Sequence, residues 1–269
     1  MQLPPSSSLT GIVKHYLVLE SERYLDADYR LFSDGNPGLI FHYHTPLIQF
    51  TPGSAVGNSQ PNSFLYGQIT QYKDLRSNGK LGMVAVVLQP SGIYSLLGIS
   101  ANELNNRIIR LSEIFGREAL ELEEHVLGAA NIPAILEQVE NFLIKKTIHK
   151  QHPHPVFEES LTLIYQSKGR ITIQELLKQL PITERQLERS YHERIGITPK
   201  KFTDIIRFQH FLKLLQNDHG ENNISDAVYD AGFYDHSHLT NYFKRYTGIT
   251  PTQYQLNPHL LAINFMKMR

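Results

Sequence analysis

The sequence predicts an α+β protein in two parts, a β-rich N-terminal domain with appended helices and an all-α C-terminal domain. Three features of the chain support this prediction. Short runs of strand-forming residues fill the segment 11–88, apolar residues recur at helical spacing from about residue 101, and one helical pattern occurs twice near the C-terminus. Short strands separated by turns at this spacing suggest an antiparallel barrel or sandwich.

Aliphatic and aromatic runs in the first part are predicted to be strands, and they cover residues 13–19, 39–43, 47–51, 64–70 and 83–88. Clusters rich in Gly, Pro, Asn and Ser lie between these runs and are typical of turns. The clusters cover residues 33–38, 51–54 and 77–80. Residues 1–10 precede the first strand and are expected to form a mobile arm.

Apolar residues at helical spacing predict helices over residues 101–115 and 132–146. These helices could pack on their own sheet or pair with a second subunit, and the sequence leaves both arrangements open. Gln151-His152-Pro153-His154-Pro155 interrupts the helical pattern and is the predicted linker. The predicted organisation is an N-terminal sensory or regulatory domain (1–150), a linker (151–155), a C-terminal domain (156–256) and a tail (257–269).

The C-terminal domain contains the same pattern twice. Residues 187–199 read LERSYHERIGITP, and residues 239–251 read LTNYFKRYTGITP. In each copy a leucine and an aromatic residue four positions later share a helix face, a glycine ends that helix, and Thr-Pro begins the next one. A short helix precedes each copy, which predicts two helix-turn-helix units whose second helices can lie in the major groove of DNA. The apolar helix 200–215 is expected to hold the units at a fixed separation.

The second copy resembles the signature of the AraC/XylS family of transcriptional regulators. The similarity lies in residues 232–239 (GFYDHSHL), residues 242–251 (YFKRYTGITP) and Tyr254, with Leu239 where that family often has Phe. Residues 11–150 resemble, more loosely, the cupin-like sensory domain of one branch of these regulators. The resemblance implies a sequence-specific DNA-binding transcriptional regulator whose N-terminal domain senses a small molecule or mediates dimerisation.

The resemblance also implies which residues of the first unit face DNA, namely Arg185, Glu188 and Arg189. Helical spacing adds His192, because Arg185, Arg189 and His192 lie at i, i+4 and i+7, away from the apolar face. Arginine can bind guanine with two hydrogen bonds, and glutamate can accept one from cytosine. The alternative is an ordinary solvated helix surface with salt bridges between neighbouring Arg and Glu residues.

In the second unit the groove-facing positions implied by the resemblance are His236, Ser237, His238 and Asn241. Lys244 and Arg245 are expected to reach phosphate groups. A metal site at His236 and His238 is disfavoured, because side chains two residues apart on a helix point about 200° apart.

The charge balance is unusual for a protein that binds nucleic acid. The chain has 26 basic residues (Lys and Arg) and 26 acidic residues, so the formal net charge is zero. Neutralisation of phosphates supplies most non-specific affinity for DNA. The DNA-binding hypothesis therefore requires basic residues clustered on one face, and a helical module that binds another protein remains an alternative.

The composition limits the other classes of function. The absence of cysteine excludes disulfides, thiolate nucleophiles and therefore a DNA-repair methyltransferase. No segment approaches the roughly 18 apolar residues of a membrane span, and the N-terminus has no secretory pattern, so a cytoplasmic protein without membrane contact is expected.

The rival function is a metal-dependent cupin-type enzyme with a helical accessory domain, and its basis is His42-Tyr43-His44. On a strand, two residues in alternate positions face the same side and could bind one ion, although the Glu that some cupins place nearby is missing. We predict no catalytic residue, cofactor or metal ligand, and no ligand-binding residues are assigned. The expected partners are double-stranded promoter or operator DNA, a small-molecule effector, a second copy of the chain and, for an activator, RNA polymerase.

Overall fold

The computed structural model describes residues 1–51, 55–147, 154–217, 224–233, 236–257 and 260–268, without the side chains of residues 217, 224–226 and 236–238. The first part contains β1 (Gln2–Leu3), β2 (Val13–Leu31), β3 (Gly38–His42), β4 (Ile48–Phe50), β5 (Gly57–Ser59), β6 (Ser63–Tyr66), β7 (Lys73–Leu88), α1 (Gly92–Leu97), β8 (Ile108–Arg110), α2 (Leu111–Phe115), α3 (Arg117–Leu127) and α4 (Ile132–Thr147). The second part contains α5 (Pro155–Gln166), α6 (Ile173–Gln179), α7 (Glu184–Arg194), α8 (Pro199–Asn217), α9 (Ile224–Asp230), α10 (His236–Thr247), α11 (Pro251–Gln255), β9 (Leu260–Ala262) and β10 (Phe265–Lys267).

The strands among the described residues form one antiparallel sheet in the order β8-β6-β3-β7-β2-β10-β9, with β1 beside β2 and the pair β4–β5 beside β7. The long strands β2 and β7 pair along almost their whole length. Successive side chains of a strand face opposite sides, and both sides of this sheet are apolar. Leu39 and Phe41 pack towards α1–α4, whereas Ile40 between them faces the opposite side. The predicted β-rich domain with appended helices is confirmed.

The turn predicted at residues 77–80 is wrong. These residues lie inside β7 and pair with β2, so that Ser77 lies opposite Ala27 and Gly79 opposite Leu25. This strand position requires glycine because the Thr45 side chain packs against its backbone, and a Cβ at Gly79 would come within 2.4 Å of Thr45 Oγ1. Pairing with a distant strand therefore outweighs the local preference for a turn.

The helix predicted over residues 101–115 is also wrong. Residues 101–104 form a short 3-10 helix, Asn106 has a positive φ of 58°, and β8 then pairs with β6 before α2 begins. Leu104 and Leu111 are buried as their spacing suggested, but they belong to different elements. The other predicted helix exists as α4 and packs on α3 and the sheet core of its own chain.

The ends of the chain are both built into the N-terminal domain. The expected mobile arm instead forms β1, and Leu9 is fully buried. The predicted tail, residues 257–269, contains β9 and β10, and β10 pairs with β2. The predicted linker lies mostly outside the described residues, and α5 begins at its last residue, Pro155, with the His154 ring accepting a hydrogen bond from Phe157 N at 3.2 Å.

The C-terminal part is helical, as predicted, and its core surrounds α8. Phe202, Ile205, Phe208, Phe211 and Leu212 of α8 are fully buried. Two residues from the other domain, Phe32 and Met266, belong to the same core. No helix in the described part of the chain is both long and apolar enough to cross a bilayer.

Candidate nucleic-acid interface and the adjoining cavity

The first unit consists of α6, a short turn and α7, and each helix begins at a capping box. Thr183 N donates to Gln186 Oε1 at 3.0 Å while Gln186 N donates to Thr183 Oγ1 at 3.3 Å, and Thr172 with Glu175 repeats this arrangement at α6. Leu187 and Tyr191 are fully buried. The sequence pattern therefore predicted the start and the buried face of α7 correctly.

The outer face of α7 carries the four residues predicted to contact DNA in this unit. Arg185, Glu188, Arg189 and His192 are all exposed. Within the described part of the chain, neither arginine forms an ion pair, so the salt-bridged surface that was the alternative is not formed here. The two guanidinium groups outnumber the Glu188 carboxylate among these four residues, so they leave a local positive charge that the neutral chain as a whole lacks.

The second unit consists of α9, a turn at Gly232 and α10. Gly232 has φ +76°, Leu239 and Phe243 are buried, and Thr250 with Gln253 forms a capping box at α11. Asn241, Lys244 and Arg245 are exposed on α10. His236, Ser237 and His238 occupy the first turn of α10, and their side chains lie outside the described part of the structure. The DNA-contacting roles in both units stay predictions.

Helix α8 connects the two units through aromatic contacts. The Phe202 ring lies 5.9 Å from the Tyr191 ring of the first unit, and the Phe208 ring lies 5.3 Å from the Phe243 ring of the second, measured between centroids. Buried aromatic pairs of this kind add to the apolar burial that holds helices together. The two candidate reading helices are thus positioned by one rigid element.

The sheet domain contacts both units and α8. At the first unit, the Arg194 guanidinium lies 4.6 Å from the centroid of the Tyr94 ring, and Asn105 donates to the carbonyl of Gly196. At the second, Arg30 donates to the Thr247 carbonyl at 3.1 Å. Gln209 of α8 donates to the Ser33 carbonyl at 2.7 Å. The orientation of the units is therefore set partly by the sheet domain.

A cavity of about 710 Å³ lies between the sheet, α8 and the C-terminal strands. Its wall on the sheet side is aliphatic and includes Leu17, Leu19, Leu31, Ile40, Leu75, Met83, Ala85 and Val87. Basic groups from three separate segments join them, namely Lys14, His15, Lys168, His210 and Lys213, together with one acidic residue, Asp34. The three lysines are exposed, which places their charge at the rim of an apolar cavity.

Sequence reasoning did not assign these cavity residues. Among the strand aromatics, Tyr16, Phe41 and Phe64 are buried in the cores, whereas Tyr66 lines the cavity. The basic residues come from positions up to about two hundred residues apart, so no local motif contains them. The pKa of His15 is lowered mainly by burial and next by the nearby charge of Lys14. The pKa of His210 is lowered mainly by burial and next by the charge of Lys168.

His42 and His44, the basis of the metal-enzyme alternative, do not converge. β3 ends at His42, whose ring is buried and lies with Nε2 3.2 Å from Gln60 Oε1. The His44 ring instead lies near the carboxylates of Glu20 and Glu22, which are exposed. Because the chain bends after His42, the alternation expected of a continuous strand does not apply to this pair.

Stability should fall on acidification because of His42. Burial lowers the pKa of His42 to about 4 in the folded protein, while an unfolded histidine titrates near 6.5. Between these values the unfolded state binds the additional proton, so stability decreases as the pH falls from 6.5 to 4, by up to about 3 kcal/mol. Urea unfolding at several pH values should show this slope in the wild type and a smaller one in His42→Gln. Equal slopes in the two proteins would exclude His42 as its source.

Comparisons with known proteins agree with this two-part arrangement. Residues 1–110 match the family "Domain of unknown function (DUF6597)", and residues 176–257 match a helix-turn-helix domain family. The second match covers the second unit and the first unit from Leu176 in α6 onwards. The chain carries an AraC-type helix-turn-helix domain.

Curated relatives of this AraC-type domain include the transcriptional regulatory protein HptR of Staphylococcus aureus. It is 27% identical over 90 residues, which is 34% of this chain and 34% of HptR. The chain thus spans about a third of the length of the curated relatives it matches.

Solved structures with a similar fold include ToxT from Vibrio cholerae, with a TM-score of 0.51 and 15% identity over 89% of this chain and 97% of ToxT. A structure of ToxT described as bound to an unsaturated fatty acid has a TM-score of 0.50 at 12% identity, over 89% of this chain and 94% of ToxT. At these identities the similarity establishes the shared fold alone, a β-rich domain followed by a helical domain.

Proposed function

We propose that this protein is a sequence-specific DNA-binding transcriptional regulator whose N-terminal domain responds to a small molecule. The observation that carries the proposal is the pair of helix-turn-helix units fixed on α8, with Arg185 and Arg189 uncovered on α7 and Lys244 and Arg245 uncovered on α10. Helices presented in this way can enter successive major grooves, which are about 34 Å apart.

Selection of bound sequences from random duplex DNA tests this proposal, with the full-length protein at fixed, moderate salt. We expect two short preferred blocks about one helical turn, roughly 10 base pairs, apart. Enrichment of a single block would contradict reading by both units, and no enrichment over bulk DNA would contradict the proposed function.

The lining of the cavity favours a ligand with an apolar body and an anionic head group. The aliphatic wall offers burial to a hydrocarbon chain, which stabilises a complex by about 0.8 kcal/mol per buried CH₂ group. Lys14, Lys168 and Lys213 at the rim outnumber Asp34. A long-chain carboxylate fits this distribution, and the ToxT structure with a bound unsaturated fatty acid shows that a protein of this fold has held such a ligand.

Binding of oleate, measured by titration calorimetry, should depend on the cavity wall and on its rim. Ala85→Phe fills space beside the aliphatic wall and is expected to weaken oleate binding by about 10-fold, because one or two CH₂ groups of the ligand lose burial worth about 0.8 kcal/mol each. Lys213→Ala removes one exposed charge and should weaken it by about 2- to 5-fold.

The matched control for the lysine is Lys178→Ala, an exposed lysine on α6 outside the cavity lining. It should leave the affinity for oleate unchanged. Equal affinities in wild type, Ala85→Phe and Lys213→Ala would place the oleate site elsewhere.

The remaining partners follow from the proposed activity. A cytoplasmic location, where operator DNA is accessible, is part of the proposal. A homodimer and, for an activator, RNA polymerase are part of the proposal. The metal-enzyme alternative was based on converging side chains of His42 and His44, and these side chains contact different residues.

A further inference from the structure

The C-terminal segment 260–268 connects the second helix-turn-helix unit to the sheet domain. It follows α11 and lies beyond both family matches, which cover residues 1–110 and 176–257. It forms the hairpin β9–β10, and β10 adds to β2 with Phe265 opposite Leu31, Met266 opposite Arg30 and Lys267 opposite Tyr29. The segment thus crosses from the helical domain back to the first domain.

The side chains of β10 are buried in two different cores. Phe265 is 5% exposed and packs with the sheet residues that face the cavity, with its ring 5.5 Å from the Tyr29 ring between centroids. Met266 is 1% exposed and packs with the helical core around α8. Because neighbouring strand residues face opposite sides, a two-residue stretch joins both cores.

Hydrogen bonds tie the turn of this hairpin to both domains. Asn264 and Phe32 exchange two bonds, with Phe32 N donating to the Asn264 carbonyl and Asn264 Nδ2 donating to the Phe32 carbonyl, each at 3.0 Å. Tyr254 of α11 donates through Oη to the Ile263 carbonyl at 2.8 Å. Asn257 Nδ2 donates to the Lys267 carbonyl at 2.9 Å.

Two residues of the cavity lining are linked to each other by hydrogen bonds through Tyr254 of α11. Gln216, near the end of α8, donates to Tyr254 Oη at 3.0 Å, and Tyr254 in turn donates to Ile263. Gln216 and Ile263 both line the cavity, as do Ala262, Asn264 and Phe265. The groups that hold α11 in place are therefore part of the cavity wall.

We propose that residues 260–268 are a strap that fastens the second helix-turn-helix unit to the wall of the cavity. Release of the strap loosens α11 and, through it, α10, which then keeps only its contacts with α8 and the hydrogen bond from Arg30 to the Thr247 carbonyl. The first unit stays attached through Arg194 and Asn105. A regulatory role of the strap rests on the proposed function: a ligand in the cavity would alter the attachment of one of the two DNA-reading helices. The attachment itself does not depend on DNA or on a ligand.

Amide hydrogen exchange of the full-length protein, without DNA or ligand, tests the strap. Tyr254→Phe removes one hydroxyl from a residue that is 1% exposed, and Asn264→Ala removes the side-chain bond to Phe32. Asn264→Ala is expected to exchange about 5-fold faster over α10 and α11, the factor that corresponds to about 1 kcal/mol for one hydrogen bond. Tyr254→Phe loses two hydrogen bonds, so its exchange over the same helices is expected to be about 5- to 30-fold faster. Exchange over α7 should not change.

The control is Tyr24→Phe, which removes a tyrosine hydroxyl that bonds Asn78 within the sheet domain. It should leave exchange over α10 and α11 unchanged. Faster exchange of β10 alone in Tyr254→Phe and Asn264→Ala would show that the segment is only an additional strand, and would overturn the proposal. A wild-type protein that fails to select DNA sequences would refute the proposed function but would not alter this result.

Discussion

Arg189→Ala is expected to weaken binding to the selected operator by about 10- to 100-fold and to relax the base preference at one position. Arg189 is exposed on α7 and has no ion pair within the described part of the chain, so its guanidinium is available for a base edge. Its removal should change the free energy of unfolding by less than about 0.5 kcal/mol, because exposed substitutions away from special features rarely do more. Fluorescence anisotropy with labelled operator at fixed salt measures the affinity.

Arg117→Ala supplies the matched control for Arg189→Ala. Arg117 lies on α3 of the sheet domain, is 90% exposed and pairs with Glu121 at 3.0 Å, so the variant loses the same charge at a distance from the reading helices. Equal losses of affinity in the two variants would indicate a general electrostatic effect. Unchanged affinity and base preference in Arg189→Ala would remove α7 as a reading helix.

Phe208→Ala should lower the free energy of unfolding by about 3–5 kcal/mol, since truncation of a buried phenylalanine leaves a cavity. Phe208 is fully buried at the centre of α8. Its ring lies 5.3 Å from Phe243 and 5.5 Å from Tyr246 in the second unit, and 6.2 Å from Phe32 in the sheet domain, between centroids. The substitution should therefore weaken the attachment of the second unit to both α8 and the sheet domain.

Urea unfolding followed by circular dichroism measures this loss, and operator binding measures its consequence. Tyr229→Ala provides the comparison, because this aromatic residue of α9 is 66% exposed and should change stability by less than about 0.5 kcal/mol. A loss below about 1 kcal/mol in Phe208→Ala would mean that the core around α8 can collapse around the gap, contrary to the close packing expected of buried aromatic clusters.

Local chemistry was sufficient for the helical domain. Thr183 and Gln186 form their capping box within four residues, and Leu187 and Tyr191 share a face because of helix geometry alone. The repetition of this pattern in the second copy identified two units without any long-range information. The exposed positions of Arg185 and Arg189 followed from the same periodicity.

Local signals were misleading in the sheet domain, where partners are distant in sequence. Ser77 to Lys80 has the composition of a turn, yet it continues β7 because β2 supplies backbone partners about fifty residues away. Ile108 has helical spacing from Leu104, yet it belongs to a strand that pairs with β6. Strand pairing depends on neighbours that no short window of sequence contains.

The sequence by itself determined the two helix-turn-helix units, their exposed basic faces and the β-rich character of the first domain, because periodicity and capping act within a few residues. Only the tertiary structure decided that Lys14, Lys168 and Lys213 surround one cavity and that residues 260–268 return to β2. Both results arise from the burial of apolar surface between segments far apart in the chain, where Phe32 and Met266 complete a core made mainly by helices.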